Sequence, residues 1–358
     1  EALNQSERIN FENESIVGSI SLKGGVIDDL TFKQYNVSLD SQEKVTLLSP
    51  RNSKDGYLIE SGFITSDKNV EIPNSNSIWK VSGNNKLTDQ SPIKISWTND
   101  QGITFEKEIA LDDKYLFSIK QSVINPTDKK YDFYTYGQII RNEMPDISNF
   151  YILHEGLVAT LDDELIEEDY DDIQEKKFSR TAQKGWLGIG DKYWVTSLIP
   201  PREKEFKTTF DYKDKFRANF VSTEPLELNE NSLIEETLQI IVAAKRVDVI
   251  DGYAESLNID KFDLTIDWGF LYFITKPLFF GIDYFFKLLG NYGLAIIAIT
   301  ICIRLAFFPL ANFSFRSMAK MKALQPEMAR LKTLHEGDKM KLQQAMMALY
   351  KKEKVNPM

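Results

Sequence analysis

The chain has 358 residues and a formal charge of −10, more than one ordinary domain holds, and the charge is unevenly shared. Residues 1–267 carry a net −18, residues 268–315 hold only Lys276, Asp283, Lys287 and Arg304 as charged side chains, and residues 316–358 hold ten Lys/Arg against four Asp/Glu. That acidic, apolar, basic order excludes a simple soluble enzyme. One cysteine, Cys302, and two histidines, His154 and His335, rule out an intrachain disulfide framework and argue against a His/Cys metal centre or a Cys–His dyad.

The acidic block reads as many short extended runs between turn residues, the pattern of an all-β sandwich. Residues 15–30 form two strands split by Lys23-Gly24-Gly25, and residues 115–123 form a long strand ended by Asn125-Pro126. Eight carboxylates crowd into eleven residues at Asp162, Asp163, Glu164, Glu167, Glu168, Asp169, Asp171 and Asp172. They lack the alternating Asp/Asn and Gly turn of a calcium loop, so a solvated loop or short helix is expected. No glycine-rich phosphate loop and no nucleophile elbow is present, so no catalytic chemistry has a home here and no cofactor is expected. Helical periodicity first shows at residues 247–257, expected to link the acidic domain to the apolar block.

Residues 275–287 read as a helix with Thr275 as N-cap and Pro277 in its first turn. Lys276, Asp283 and Lys287 fall within about 40° of one another on it, and every other face is Phe, Tyr, Leu or Ile. One thin polar stripe and a thick aromatic face suit the plane of a membrane interface. Gly290-Asn291 then breaks the helix. Residues 292–311 supply the roughly 20 apolar positions that a spanning helix needs. The basic segment after this span and the acidic one before it orient the chain, with residues 316–358 in the cytoplasm and residues 1–267 outside. The absence of cysteine from the external block fits a bacterial periplasm. Both chain ends read as cut, and a signal or anchor helix is expected upstream of Glu1.

Arg304 stands about 18 Å into the span. A cation at that depth costs roughly 2.5–3.5 kcal/mol. A water-filled cavity, a carboxylate partner or snorkelling to the cytoplasmic edge can each offset it, and no acidic residue occurs between Asp283 and Glu327 to act as a local partner.

Beyond the span, Met318, Met321, Leu324, Met328, Leu331 and Leu334 recur at helical spacing, with a kink or restart expected at Pro326. His335-Glu336-Gly337-Asp338 reads as a turn, Gly337 as a C-cap and Asp338 as the next N-cap. Leu342, Met346, Leu349 and Tyr350 form a second stripe, so an antiparallel hairpin is expected. Its methionines, Met318, Met321, Met328, Met346 and Met347, either receive varied apolar partners or simply close the hairpin. The basic face suits anionic lipid better than RNA, and no nucleic-acid specificity is expected.

Four stretches together resemble the YidC/Oxa/Alb family of bacterial membrane protein insertases, in family order and over nearly the whole chain. They are Gly18-Ser19-Ile20-Ser21-Leu22-Lys23-Gly24-Gly25; Gly185-Trp186-Leu187-Gly188-Ile189-Gly190-Asp191-Lys192-Tyr193-Trp194; Asn291-Tyr292-Gly293-Leu294 through Arg304 to Phe308-Pro309-Leu310; and Met318-Ala319-Lys320-Met321 with Met346-Met347-Ala348-Leu349-Tyr350. The resemblance implies a periplasmic β-supersandwich at residues 1–245, a linker helix region at 246–267, an interfacial amphipathic helix at 268–290, a transmembrane helix at 291–313 and a cytoplasmic helical hairpin at 314–358. It implies that Arg304 sits in a hydrophilic groove, and that the partners are nascent membrane proteins, the Sec translocon, ribosome or targeting factors, and the lipid bilayer of the inner membrane. The alternative is a membrane-anchored periplasmic binding or assembly module without insertase activity. One departure is Ala243-Ala244-Lys245, where relatives often carry Gly-Pro-Lys. A sandwich of this kind also resembles sugar mutarotases, but their paired catalytic histidines are missing, since His154 is the only histidine in the acidic block.

Overall fold

The computed structural model describes residues 3, 6–145, 154–269 and 271–353. The chain forms two compact units, Glu1–Asp267 and Trp268–Met358.

The first unit is a sandwich of two large sheets. Among the described residues the larger has eleven strands, running Phe178–Ala182, Phe206–Tyr212, Phe216–Ser222, Tyr131–Arg141, Tyr57–Ile64, Val26–Asn36, Ile16–Ser21, Arg8–Glu12 and Lys86–Leu87, with Leu226–Leu228 beside Tyr131–Arg141 and Lys44–Leu48 beside Val26–Asn36. The smaller has nine, ordered Glu164–Asp169, Gly156–Leu161, Gly185–Gly190, Trp194–Ile199, Ser232–Ala244, Leu116–Asn125, Thr104–Leu111, Ile93–Thr98 and Lys80–Ser82. Pairing is antiparallel except where Arg8–Glu12 meets Lys86–Leu87. Period-two patterning explains the burial: Phe105, Ile109 and Leu111 alternate inward along one strand, and Phe133 and Ile139 along another. Their side chains fill one continuous core between the sheets.

The Lys23-Gly24-Gly25 break is a turn in which both glycines take positive φ, 81° and 61°. A side chain on Gly25 would press against the Trp79 indole at 2.9 Å, so the turn needs glycine for space as well as for backbone.

Two expectations for this unit change. The carboxylate-rich run is neither a free loop nor one helix. Asp162 and Asp163 both take positive φ, 49° and 69°, in a two-residue hairpin turn that folds Glu164–Asp169 back on Gly156–Leu161. Helix α1, Tyr170–Glu175, follows, anchored by buried Tyr170 and Ile173. Helix α2, Val247–Ser256, is expected as a linker but belongs to the core. Val249, Ile250 and Tyr253 are buried, and the Tyr253 hydroxyl donates to Asp112 Oδ2 at 2.7 Å while accepting the Tyr115 N–H at 2.8 Å. Burial and the Asp112 carboxylate hold that phenol far above its ordinary range. A short 3₁₀ turn, Phe262–Thr265, continues the docking, with Phe262 edge-on to Trp186 at 5.3 Å.

The second unit is helical. Helix α3, Tyr272–Leu289, begins before the expected cap: the Thr275 hydroxyl bonds the Trp268 carbonyl at 2.8 Å, so Thr275 lies inside the first turn and ties it to the residues that precede it. Gly290 ends α3 in the left-handed region at φ 66°, and Asn291 caps α4, Tyr292–Leu334, by accepting the Leu294 N–H at 3.1 Å. Phe286 stacks on Tyr292 at 4.0 Å across this turn. Helix α4 runs through both Pro309 and Pro326, so of the kink or restart expected at Pro326 the restart does not occur. Residues 335–338 then turn the chain, with Gly337 at φ 98°, into α5, Lys339–Lys352.

Candidate functional site: an apolar helix with one cation

Along α4 the apolar side chains face outward. Ile297 is 57% exposed, Leu305 67% and Phe308 62%, and among the helix's described residues only Ala295 is buried. In water this would be an aggregation surface; in hydrocarbon it is the favoured arrangement. Among the described helices α4 alone is long and apolar enough to cross a membrane.

Arg304 is exposed on this helix, and no ion pair or hydrogen bond joins it to any described residue. Two neighbours add to its polar demand. Thr300, one turn earlier on the same face, turns its hydroxyl inward to the Ile296 carbonyl at 2.6 Å, a bond that serves a hydroxyl in an apolar medium. Pro309 has no N–H to give the Leu305 carbonyl four residues back, so a backbone acceptor next to Arg304 lacks its helical partner. In hydrocarbon an unmet backbone group is expensive, and so is a cation. Both call for water or polar protein at the same depth. Arg304 is legible in the sequence; Thr300 and the Leu305 carbonyl are missed there, although their four-residue spacings from Arg304 and Pro309 were available to find them.

On α3, Asp283 pairs with Lys287 at 2.7 Å and Lys276 lies 5.8 Å from the centroid of the Trp268 ring, so the thin polar stripe is real and partly self-neutralised. Phe273, Phe280 and Tyr284 are exposed around the rest of the helix.

The five methionines separate into two groups. Met321, Met328 and Met346 are half-buried within the α4–α5 hairpin, and the Tyr350 hydroxyl donates to Met328 Sδ at 3.7 Å. Met318 and Met347 are exposed, 50% and 62%. Asp338 caps α5, accepting the Lys341 N–H at 3.1 Å; that bond, with the Lys341 ammonium, holds its carboxyl below the usual range.

In the sandwich, the Gly185–Trp194 stretch is a hairpin whose residues build a polar network. Asp191 pairs with Arg141 at 2.6 Å, and Arg141 also donates to the Tyr170 hydroxyl at 3.1 Å and lies 4.7 Å from the centre of the Tyr57 ring. Burial opposes the Arg141 charge, but Asp191 and the two tyrosines more than offset it. Lys245 approaches Gly190; burial lowers its pKa against the pull of Asp191, Asp267, Glu155 and Glu167. Ala243 and Ala244 are buried as the last two residues of the strand before it. Among the described residues no His/Cys/Asp/Glu group has the geometry to hold a metal.

A large antiparallel sandwich joined in one chain to an interfacial-type helix and an apolar helix with a mid-depth arginine defines a membrane-anchored protein with a large extramembrane domain. Residues 8–280 match the family described as the YidC periplasmic domain, and residues 284–358 match that of the 60Kd inner membrane protein. The chain belongs to the YidC family. It is 72% identical over 358 residues to the membrane protein insertase YidC of Pelagibacter ubique, covering 100% of this chain and 64% of that protein. It is 40% identical over 366 residues to that of Brucella melitensis, covering 100% and 60%, and 41% identical over 362 residues to that of Rickettsia prowazekii, covering 99% and 64%. The chain therefore spans less than two thirds of the length of these curated relatives.

Proposed function

We propose that the chain is the periplasmic domain, first groove-forming helix and cytoplasmic hairpin of an inner-membrane protein insertase whose complete form crosses the membrane several times. The observation that carries this reading is Arg304, a cation with no described partner on an outward-facing apolar helix, beside a backbone carbonyl that Pro309 leaves without its helical donor. An anchor helix gains nothing from either. In the complete protein, other helices close a hydrated groove around this depth. A short acidic segment of a nascent membrane protein is drawn to Arg304, where low dielectric strengthens the charge pair, and its apolar segment then partitions into lipid. No covalent step is involved. Met318 and Met347, exposed on α4 and α5, receive apolar segments or targeting partners on the cytoplasmic side, and the protein acts alone or beside the Sec translocon.

The test uses the complete gene in cells depleted of their own insertase, with Arg304→Ala and Arg304→Lys scored on a single-span substrate with an acidic external tail. Loss with Ala and retention with Lys is expected. Full activity in both variants sinks the charge-attraction mechanism, and failure of wild type to rescue favours the anchored-module alternative.

A further inference from the structure

Apart from the Arg141–Asp191 network, the sandwich buries a second group of charged and amide side chains in one row. On three adjacent strands of the smaller sheet, Lys107, Gln121 and Glu236 stand in register, all facing the core. Glu236 is neutralised by Lys204, which reaches it from a loop. Lys107, 3% exposed, has no carboxylate partner among the described residues: its ammonium donates to the Gly25 carbonyl at 3.0 Å and lies 4.9 Å from the centroid of the Trp79 ring. Gln121, 1% exposed, makes no side-chain hydrogen bond to any described residue at either amide atom, and the Trp79 Nε1–H is likewise unpaired. Leaving a buried polar group unpaired costs about 1–3 kcal/mol, so the two unmet amide atoms of Gln121 and the Trp79 N–H are not explained by packing.

Lys107, Gln121 and Trp79 line one cavity of about 40 Å³, room for roughly three water-sized groups. The other ionisable groups on its wall are spoken for. Glu60 pairs with Arg51 and accepts from Gln138 at 2.6 Å, Glu106 pairs with Lys94 at 2.7 Å, and burial keeps the Tyr136 phenol protonated. What remains is three donors, Lys107 Nζ, Gln121 Nε2 and Trp79 Nε1–H, one acceptor, Gln121 Oε1, and a positive charge with no counter-ion among the described residues. Cross-strand neighbours such as Lys107 and Gln121 hold their Cβ atoms about 5 Å apart, so both donors reach one small group.

We propose that this cavity binds a small carboxylate, held by Lys107, Gln121 and the Trp79 indole. Three donors converging on a group of three heavy atoms match a carboxyl group with little more than its attached carbon. Burial alone pushes the Lys107 amine down to about 7; a bound anion opposes that shift, so binding takes up protons near neutral pH. The carboxyl group comes from a free solute or from the C-terminus of a peptide.

The test is calorimetric titration of the detergent-solubilised chain with sodium acetate, with sodium chloride at equal ionic strength as control, at pH 6.5 and 8.5. Tetra-alanine with a free or an amidated C-terminus is titrated alongside. Saturable acetate binding with net proton uptake is expected, weaker at pH 8.5 because the neutral amine loses its attraction. Gln121→Leu and Lys107→Met each weaken binding at least tenfold while melting no lower than wild type, since the first removes an unmet buried amide and the second a buried charge with no described counter-ion. Binding of the free but not the amidated peptide assigns a peptide terminus; binding of acetate alone assigns a free solute. Heats that never saturate, that chloride reproduces, or that both variants leave unchanged overturn the proposal.

Discussion

The two units put the same side chains to opposite use. In the sandwich Ile, Leu and Phe are inside: Phe11, Phe32, Leu58 and Ile139 are fully buried. In α4 they are outside, with Leu310 at 64% and Phe313 at 67%. The polar groups invert too. Arg141 is enclosed by Asp191, Tyr170 and Tyr57, whereas Arg304 has no described partner. The sandwich surrounds Arg141 with protein partners because burial takes it out of water. A spanning helix leaves apolar groups outward because its surroundings are lipid, and its one cation must be answered by something the helix does not contain.

That contrast breaks first where burial is deepest. Trp186→Ala removes a fully buried indole packed on Phe262 and is expected to cost about 3–5 kcal/mol, read as a lower urea midpoint for the sandwich transition. A comparable effect of opposite sign is expected from Lys107→Met. Folding lowers the pKa of this amine from 10.5 to about 7, so the unfolded state binds more protons between those values and native stability rises with pH across that window. The variant is therefore expected to be more stable by on the order of several kcal/mol below pH 7, converging with wild type above about pH 10.5; urea midpoints at pH 6 and 10 check both ends. The Gly25 carbonyl and the Trp79 ring favour the charged amine and make the true gain smaller.

One substitution in two places sharpens the comparison. Ile297→Asp on α4 is expected to cost roughly 2.5–3.5 kcal/mol of membrane insertion, measured as the fraction of chain resisting alkaline extraction. Leu233→Asp, at the similarly exposed Leu233 of the sandwich, is expected to shift its urea midpoint by less than about 0.5 kcal/mol equivalent. Equal, small effects at both sites would remove the membrane reading of α4. Smaller again is Asp283→Asn, which breaks an exposed pair with Lys287 worth at most about 1 kcal/mol and is expected to leave helicity in lipid vesicles unchanged by circular dichroism.

Much of this was legible from residue order. Alternation revealed the strands, Lys23-Gly24-Gly25 marked its turn, and Arg304 stood out because a charge in an apolar run is costly. What escaped depended on distant partners. The docking of α2 rests on Tyr253 meeting Asp112, 141 residues earlier in the chain, and no local pattern encodes that meeting. The division of the methionines depends on how the hairpin closes, as where Met328 meets Tyr350, and the early start of α3 on Thr275 reaching the Trp268 carbonyl. Lys107 was overlooked for a different reason: in Phe105-Glu106-Lys107-Glu108-Ile109 it shares the inward parity of two buried apolar residues, a signal present in the strand and masked by its charged neighbours.

The unbroken course of α4 has a mechanical side. Its 43 residues make a rod of about 64 Å, twice the thickness of a bilayer's hydrocarbon core. Lys322 follows Arg304 by five whole turns, and Met318 lies within about 40° of the same line. No loop lies between them, but the ladder bond missing at Pro309 does, so a load that rolls the basic end of the rod turns the Arg304 guanidinium only as far as that one loosened turn passes the rotation on.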